Sequence, residues 1–161
     1  MYPDGRATKE ILDIAAGTGL VAVELTKLGF RVMDALEPSV GMLQLAAKEE
    51  LYRTSYNIGI SAEPLPLPSD KYDPITICGW HGNTSSLADA LPEMIRVVKP
   101  GGYICVVIRM DFVKDGDDYK DTYLRQCVKL AADDKWEQKQ FTRFPSLITD
   151  VEGVKMMFKV C

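Results

Sequence analysis

The sequence has little that would mark it for metal, membrane or nucleic acid. Its four cysteines, Cys78, Cys105, Cys127 and Cys161, lie far apart, three of them in predicted strands, and none belongs to a C-x-x-C or Cys/His pattern. No metal site is expected, and the thiols read as buried and reduced. No apolar run approaches the roughly eighteen residues of a membrane span, and the opening MYPDGRATKE lacks the apolar core of a signal peptide, so the chain reads as cytoplasmic with no membrane partner. A net charge of -4, with no cluster of Lys and Arg on one predicted element, leaves no electrostatic footprint for nucleic acid. There is no internal repeat and no low-complexity tract. The 161 residues read as one α/β domain spanning positions 1–161.

What is present is concentrated between Glu10 and Gly29, EILDIAAGTGLVAVELTKLG. Ile11, Leu12 and Ile14 suit a strand buried on both faces, and the small residues Ala15 to Gly19 suit a tight turn. Leu20, Val21, Val23, Leu25 and Leu28 then have helical spacing, and Gly29 suits a left-handed C-terminal cap. A helix that starts inside a glycine turn offers unpaired N–H groups and a partial positive charge to an anionic ligand group. The turn does not name its ligand. Gly17, Gly19 and Ala22, with Glu37 twenty residues after Gly17, also fit a dinucleotide fingerprint, and a ligand-free strand-to-helix turn has the same pattern.

Further on, Phe30–Leu36 reads as a second strand ending at Glu37, and Ser39 as the N-cap of a helix with Met42, Leu43 and Leu45 on its apolar side. Glu37, a carboxylate at a strand end, could accept from both hydroxyls of a ribose or could be a solvated loop residue. Asn57–Ala62 is expected as a third strand, followed by a stiff proline-spaced loop through Pro64, Pro66 and Pro68 that could hold a flat base. Tyr72–Gly79 is expected as a fourth strand with an irregular start at Pro74, and Trp80, His81, Gly82 and Asn83 fall at its end, where ligands of open α/β sheets sit. A helix over 87–98, a strand over 103–108, a helix over 118–132 and two edge strands, 136–144 and 153–161, complete the expectation.

Taken together, Asp13-x-Ala15-Ala16-Gly17-Thr18-Gly19, Glu37-Pro38-Ser39 with Met42-Leu43, Ala62-Glu63, Tyr72-Asp73 and Lys99-Pro100-Gly101-Gly102 resemble the class I S-adenosylmethionine-dependent methyltransferases. Through GTGLVAVEL, EPLP and LPEMIRVVKPGG the chain is most similar to the methyltransferase-like family of the Williams–Beuren chromosomal region. The resemblance implies a Rossmann-like three-layer sandwich whose seven-stranded sheet has the order 3-2-1-4-5-7-6, the seventh strand antiparallel. It implies S-adenosylmethionine as cofactor, S-adenosylhomocysteine as product and a small-molecule acceptor with an oxygen or nitrogen nucleophile. Carried over, Ala15, Gly17 and Gly19 would lie along the methionine part, with Asp13 ordering the turn or reaching the amino group. Glu37 would take the ribose hydroxyls, and Pro38 and Met42 would pack beside ribose and adenine. Ser61, Ala62 and Glu63 would face the adenine edge, and Cys78, Gly79 and Trp80 would close the methionine side.

Two positions depart from the pattern. Ala15 stands where the first glycine is common, tolerable if its backbone angle is ordinary, and Ser61 stands where an aspartate commonly reads adenine. Family members also carry a helical cover before the first strand, and with Met1 ten residues ahead of Ile11 that lid is expected to be absent. For the acceptor side the candidates are His81 as general base, Arg109 as an anion clamp or merely the partner of Asp111 or Asp115, and Tyr119. A cofactor-binding module without turnover and a nicotinamide-dependent oxidoreductase are the alternative readings.

Overall fold

The computed structural model describes residues 2–80, 84–113, 118–148 and 150–161. Eleven principal elements follow one another: β1 (Glu10–Ile14), α1 (Leu20–Lys27), β2 (Val32–Leu36), α2 (Val40–Ala46), β3 (Thr54–Tyr56), β4 (Tyr72–Cys78), α3 (Thr84–Val97), β5 (Val98–Arg109), α4 (Asp118–Ala132), β6 (Trp136–Ile148) and β7 (Val151–Val160). The strands form one sheet in the order β3-β2-β1-β4-β5-β7-β6. Neighbours are parallel from β3 to β5, and β7 is antiparallel to both β5 and β6. This is the expected architecture. Among the described residues no helix is long and apolar enough to cross a membrane.

Alternation along the strands divides the core. Leu12 and Ile14 of β1 join Ile75, Ile77, Ile104, Val106 and Ile108 in a cluster closed by Leu87, Leu91 and Met94 of α3 and by Tyr123 and Leu130 of α4. Ile11 instead meets Met33, Phe30 and Ala22 of α1 on the opposite face. Helices on both faces explain why the parallel strands read as near-continuous apolar runs.

The third strand is not where the sequence pattern puts it. Asn57–Ala62 is irregular, and the strand is Thr54–Tyr56, paired with Asp34–Leu36 of β2. The pairing ends because the Asn57 side-chain amide donates to the carbonyls of Glu37 and Pro38, at 3.1 and 2.8 Å, and turns the chain off the sheet. The edge strands are also longer than expected, taking in most of the segment read as their linker.

The edge at β3 is anchored by a fully buried carboxylate. Asp34 accepts from Arg53 Nε and Nη2 at 3.0 and 2.8 Å, from Lys71 Nζ at 3.0 Å and from the Tyr72 hydroxyl at 2.8 Å. Burial pushes its pKa up, but these donors outweigh the burial and hold it at about 2.

The irregular start of β4 is present as a register shift between Tyr72 and Pro74 against β5. Opposite it, a Cβ on Gly102 would stand 2.4 Å from the Asp73 carbonyl oxygen and 2.8 Å from that of Lys99. Both obstacles are backbone and cannot swing away. Gly102→Ala is therefore expected to lower the unfolding free energy by about 1–3 kcal/mol, read from denaturant midpoints.

Candidate functional site

The carboxyl ends of β1, β2 and β4 surround a cleft of about 530 Å³. Its floor is the turn after β1. Ala15, Gly17 and Gly19 all have positive φ, at 55°, 55° and 89°, which alternates the peptide planes and lets α1 begin at Leu20. Ala15 thus lacks the ordinary backbone angle that would make an alanine tolerable there without cost. An L-residue in the left-handed region costs roughly 1–2 kcal/mol, and this chain keeps that strain in the cleft floor. At Gly19 the left-handed angle, not space, is what favours glycine: a Cβ there would make ordinary contacts, 3.4 Å from Ala46 Cβ and 3.5 Å from the Tyr52 ring.

Glu37 stands one residue past β2 and is only 6% exposed. One carboxylate oxygen accepts the Gly17 N–H at 3.1 Å and the other accepts the Ser39 N–H at 2.8 Å. The side chain therefore clasps the turn after β1 to the entry of α2, where Ser39 caps the helix through the Met42 N–H at 3.3 Å. A carboxylate has about four lone-pair sites, so acceptor capacity remains toward the cleft, where Glu37, Pro38 and Met42 form one wall and Cys78, Gly79 and Trp80 the other.

A second compartment of about 260 Å³ adjoins the first, lined by Ile14, Leu36, Pro38, Gly59, Ile60 and Trp80. Trp80 borders both, and its buried indole N–H has no acceptor among the described residues. Outside α1 lies an apolar groove of about 380 Å³, formed by Leu20, Val21, Leu25, Cys78, Cys105 and Val107.

Most of the expected cofactor residues meet in the cleft: Ala15, Gly17, Glu37, Pro38, Met42, Cys78, Gly79 and Trp80. Gly19 lies just behind it as the cap of α1. Ser61, Ala62 and Glu63 do not join them. They are exposed, and Ser61 Oγ is turned to the Glu63 N–H at 3.1 Å. The lining on that side is Gly59 and Ile60, because the chain leaves the sheet at Asn57 and is already outside the compartment by Ser61. Thr18, Leu20 and Val21 also line the cleft; their place at the start of α1 was the available signal.

Asp13 lies behind the turn, fully buried. The Tyr52 hydroxyl donates to one of its oxygens at 2.6 Å and Thr76 Oγ1 to the other at 2.8 Å. Burial pushes its pKa up to about 6, against the pull of those two hydrogen bonds. Of the acceptor-side candidates, Arg109 forms a two-point contact with Asp111, Nε to Oδ1 at 3.0 Å and Nη2 to Oδ2 at 2.5 Å, and its guanidinium lies over the Phe112 ring. His81, Asp115 and the side chain of Tyr119 lie outside the described residues.

Residues 12–106 match the family described as "Methyltransferase domain". The chain is 35% identical over 127 residues to human methyltransferase-like protein 27, across 79% of this chain and 51% of that protein. It is 30% identical over 167 residues to a ubiquinone/menaquinone biosynthesis C-methyltransferase of Marinomonas sp., across 94% of this chain and 65% of the relative. It therefore spans about half the length of the first relative and just under two thirds of the second. Its fold superposes with a TM-score of 0.70, at 14% identity, on an S-adenosylmethionine dependent methyltransferase from Mesorhizobium loti, covering 94% of this chain and 90% of that one.

Two outcomes are expected from this geometry. Ala15→Gly relieves the left-handed strain and should raise the unfolding free energy by about 1 kcal/mol, seen as a higher melting temperature. For Asp13, the folded protein retains a proton that the unfolded chain has released. Its contribution thus makes the fold less stable as pH rises from about 4 to about 6 and is constant above that range. In Asp13→Asn this component is absent, and the difference between the two pH profiles of stability should amount to roughly 3 kcal/mol.

Proposed function

The chain belongs to the methyltransferase domain family, and from that premise we propose that its cleft binds S-adenosylmethionine and directs the methyl group to a small-molecule acceptor. The observation that supports this best is Glu37, a buried carboxylate that accepts from both neighbouring loops, lines the cleft and has acceptor capacity left. Two adjacent ribose hydroxyls are the donors that such an edge suits, and each hydrogen bond to a charged group contributes roughly 1.5–3 kcal/mol.

The other residues fit around that anchor. The smaller compartment behind Pro38 and Trp80, with apolar walls from Leu36 and Ile60, takes the flat base. Ala15, Gly17 and the start of α1 lie along the amino-acid end, where unpaired helix N–H groups favour a carboxylate. Cys78, Gly79 and Trp80 close that end from β4. When bound, the cofactor supplies an activated methyl on a sulfonium, so the protein needs only to orient the acceptor and exclude water.

A small-molecule acceptor agrees with the quinone-pathway relative, whose name specifies methylation at carbon; carbon thereby joins oxygen and nitrogen as an acceptor atom. Arg109 already spends Nε and Nη2 on Asp111, so an anionic acceptor would meet its Nη1 edge or displace Asp111.

Calorimetric titration with S-adenosylmethionine, S-adenosylhomocysteine and NAD tests the reading. The first two should bind and NAD should not, and Glu37→Ala, which removes both hydroxyl contacts, should weaken binding by about 100- to 10,000-fold. Equal binding of NAD, or affinity indifferent to Glu37→Ala, overturns it.

A further inference from the structure

Tyr52 has no place in the motifs and does not line the cleft, yet it touches the turn at two points. Its hydroxyl donates to Asp13 Oδ2 at 2.6 Å, and its ring lies 3.5 Å from where a Cβ on Gly19 would stand. The residue it bonds is the last but one of β1, and the one its ring lies beside is the cap of α1, so it stands next to both ends of the turn. Tyr52 is itself held by its neighbour. The Arg53 N–H donates to the Met33 carbonyl at 2.7 Å, and the Arg53 guanidinium grips Asp34 and Glu10. The segment before β3 is therefore fastened to β2 and β1 just where Tyr52 projects.

We propose that Tyr52 is a positioning residue for the ligand-binding turn, acting through Asp13 and Gly19. The inference rests on the reading of the cleft as a cofactor site, and it extends that site to a residue 39 positions away in sequence from the carboxylate it holds.

Ionised Asp13 accepts from Tyr52 and Thr76 at once, one hydroxyl to each oxygen. Once protonated, it carries an O–H that needs an acceptor of its own, and one of the two hydroxyls must rotate away. Burial, with the Asp13 charge beside it, pushes the Tyr52 pKa far above its ordinary value, so this hydroxyl remains a donor throughout. The titratable groups facing Asp13 among the described residues are Tyr52 from the segment before β3 and Cys78 from β4, whose thiol burial and the Asp13 charge push up. Thr76 completes the β4 side, and Ala35 is the register partner on β2. Removing the Tyr52 donor withdraws one of the two hydrogen bonds that favour the Asp13 carboxylate.

Tyr52→Phe keeps the ring under Gly19 and removes only the hydroxyl. In the ligand-free protein, carboxyl NMR should show Asp13 titrating about one to two pH units higher in Tyr52→Phe than in the parent, with the Gly17 and Gly19 amides following the same midpoint. Titration with S-adenosylhomocysteine between pH 5 and 8 should show the affinity profile displaced upward by the same interval. An unchanged Asp13 midpoint, or glycine amides that do not follow it, overturns the inference. A parent protein that binds no S-adenosylhomocysteine overturns the cofactor reading, while the ligand-free titration still decides whether Tyr52 positions the turn. Should Tyr52→Phe fail to fold, Thr76→Val provides the equivalent loss from the other oxygen. With Tyr52 intact, an upward displacement of Asp13 and the glycine amides then supports the network, and its absence overturns it.

Discussion

The cleft depends on one carboxylate that bridges two loops. Without the Glu37 bonds to the Gly17 and Ser39 N–H groups, the turn after β1 and the entry to α2 would each present an unpaired donor, and the Ala16 N–H on the Leu36 carbonyl would still tie the turn to β2. With those bonds, the carboxyl ends of two neighbouring parallel strands become one rigid rim. The same residue lines the cavity, so the group that ties the two loops together is also part of the cleft wall. This double use explains why a buried acid is tolerated at a strand end, where a merely solvated glutamate would leave the rim loose.

Two other buried carboxylates show how far environment governs an acid. Asp34 and Asp13 are both fully enclosed. Asp34 meets the cations of Arg53 and Lys71, so its partnership is complete above the ordinary carboxylate range and fades as acid reaches about 2. Asp13 meets only neutral hydroxyls, which cannot repay its desolvation, and it opposes the fold once ionised. The first fastens the sheet edge. The second sits under the turn, where sensitivity to protonation is transmitted to the floor of the cleft.

Most strands, the glycine turn and the acid at the end of β2 were legible because each leaves a local mark: apolar runs, small residues before a helical repeat, a carboxylate at a strand end; the sheet order came only from the family resemblance. What escaped was set by contacts distant in sequence. Asn57–Ala62 has the apolar alternation of a strand, but the Asn57 amide finds the carbonyls of Glu37 and Pro38 and ends the pairing. That displacement carried Ser61, Ala62 and Glu63 out of the site with it. Ala15 reads as a residue able to avoid strain, yet the path from β1 into α1 leaves it in the left-handed region. Tyr52 lies in a segment with no periodic pattern, and its contact with Asp13 arises only when the sheet is assembled.

Leu20, Val21 and Cys78 belong to two surfaces at once, lining the cleft on one side and the apolar groove beside α1 on the other. The two spaces therefore share side chains. Whatever shifts those three residues from the groove changes the free energy of filling the cleft, and by thermodynamic linkage filling the cleft changes the groove by an equal amount. An occupant of the groove between α1 and the strands β4 and β5 would thus rest on side chains that an occupant of the cleft also uses.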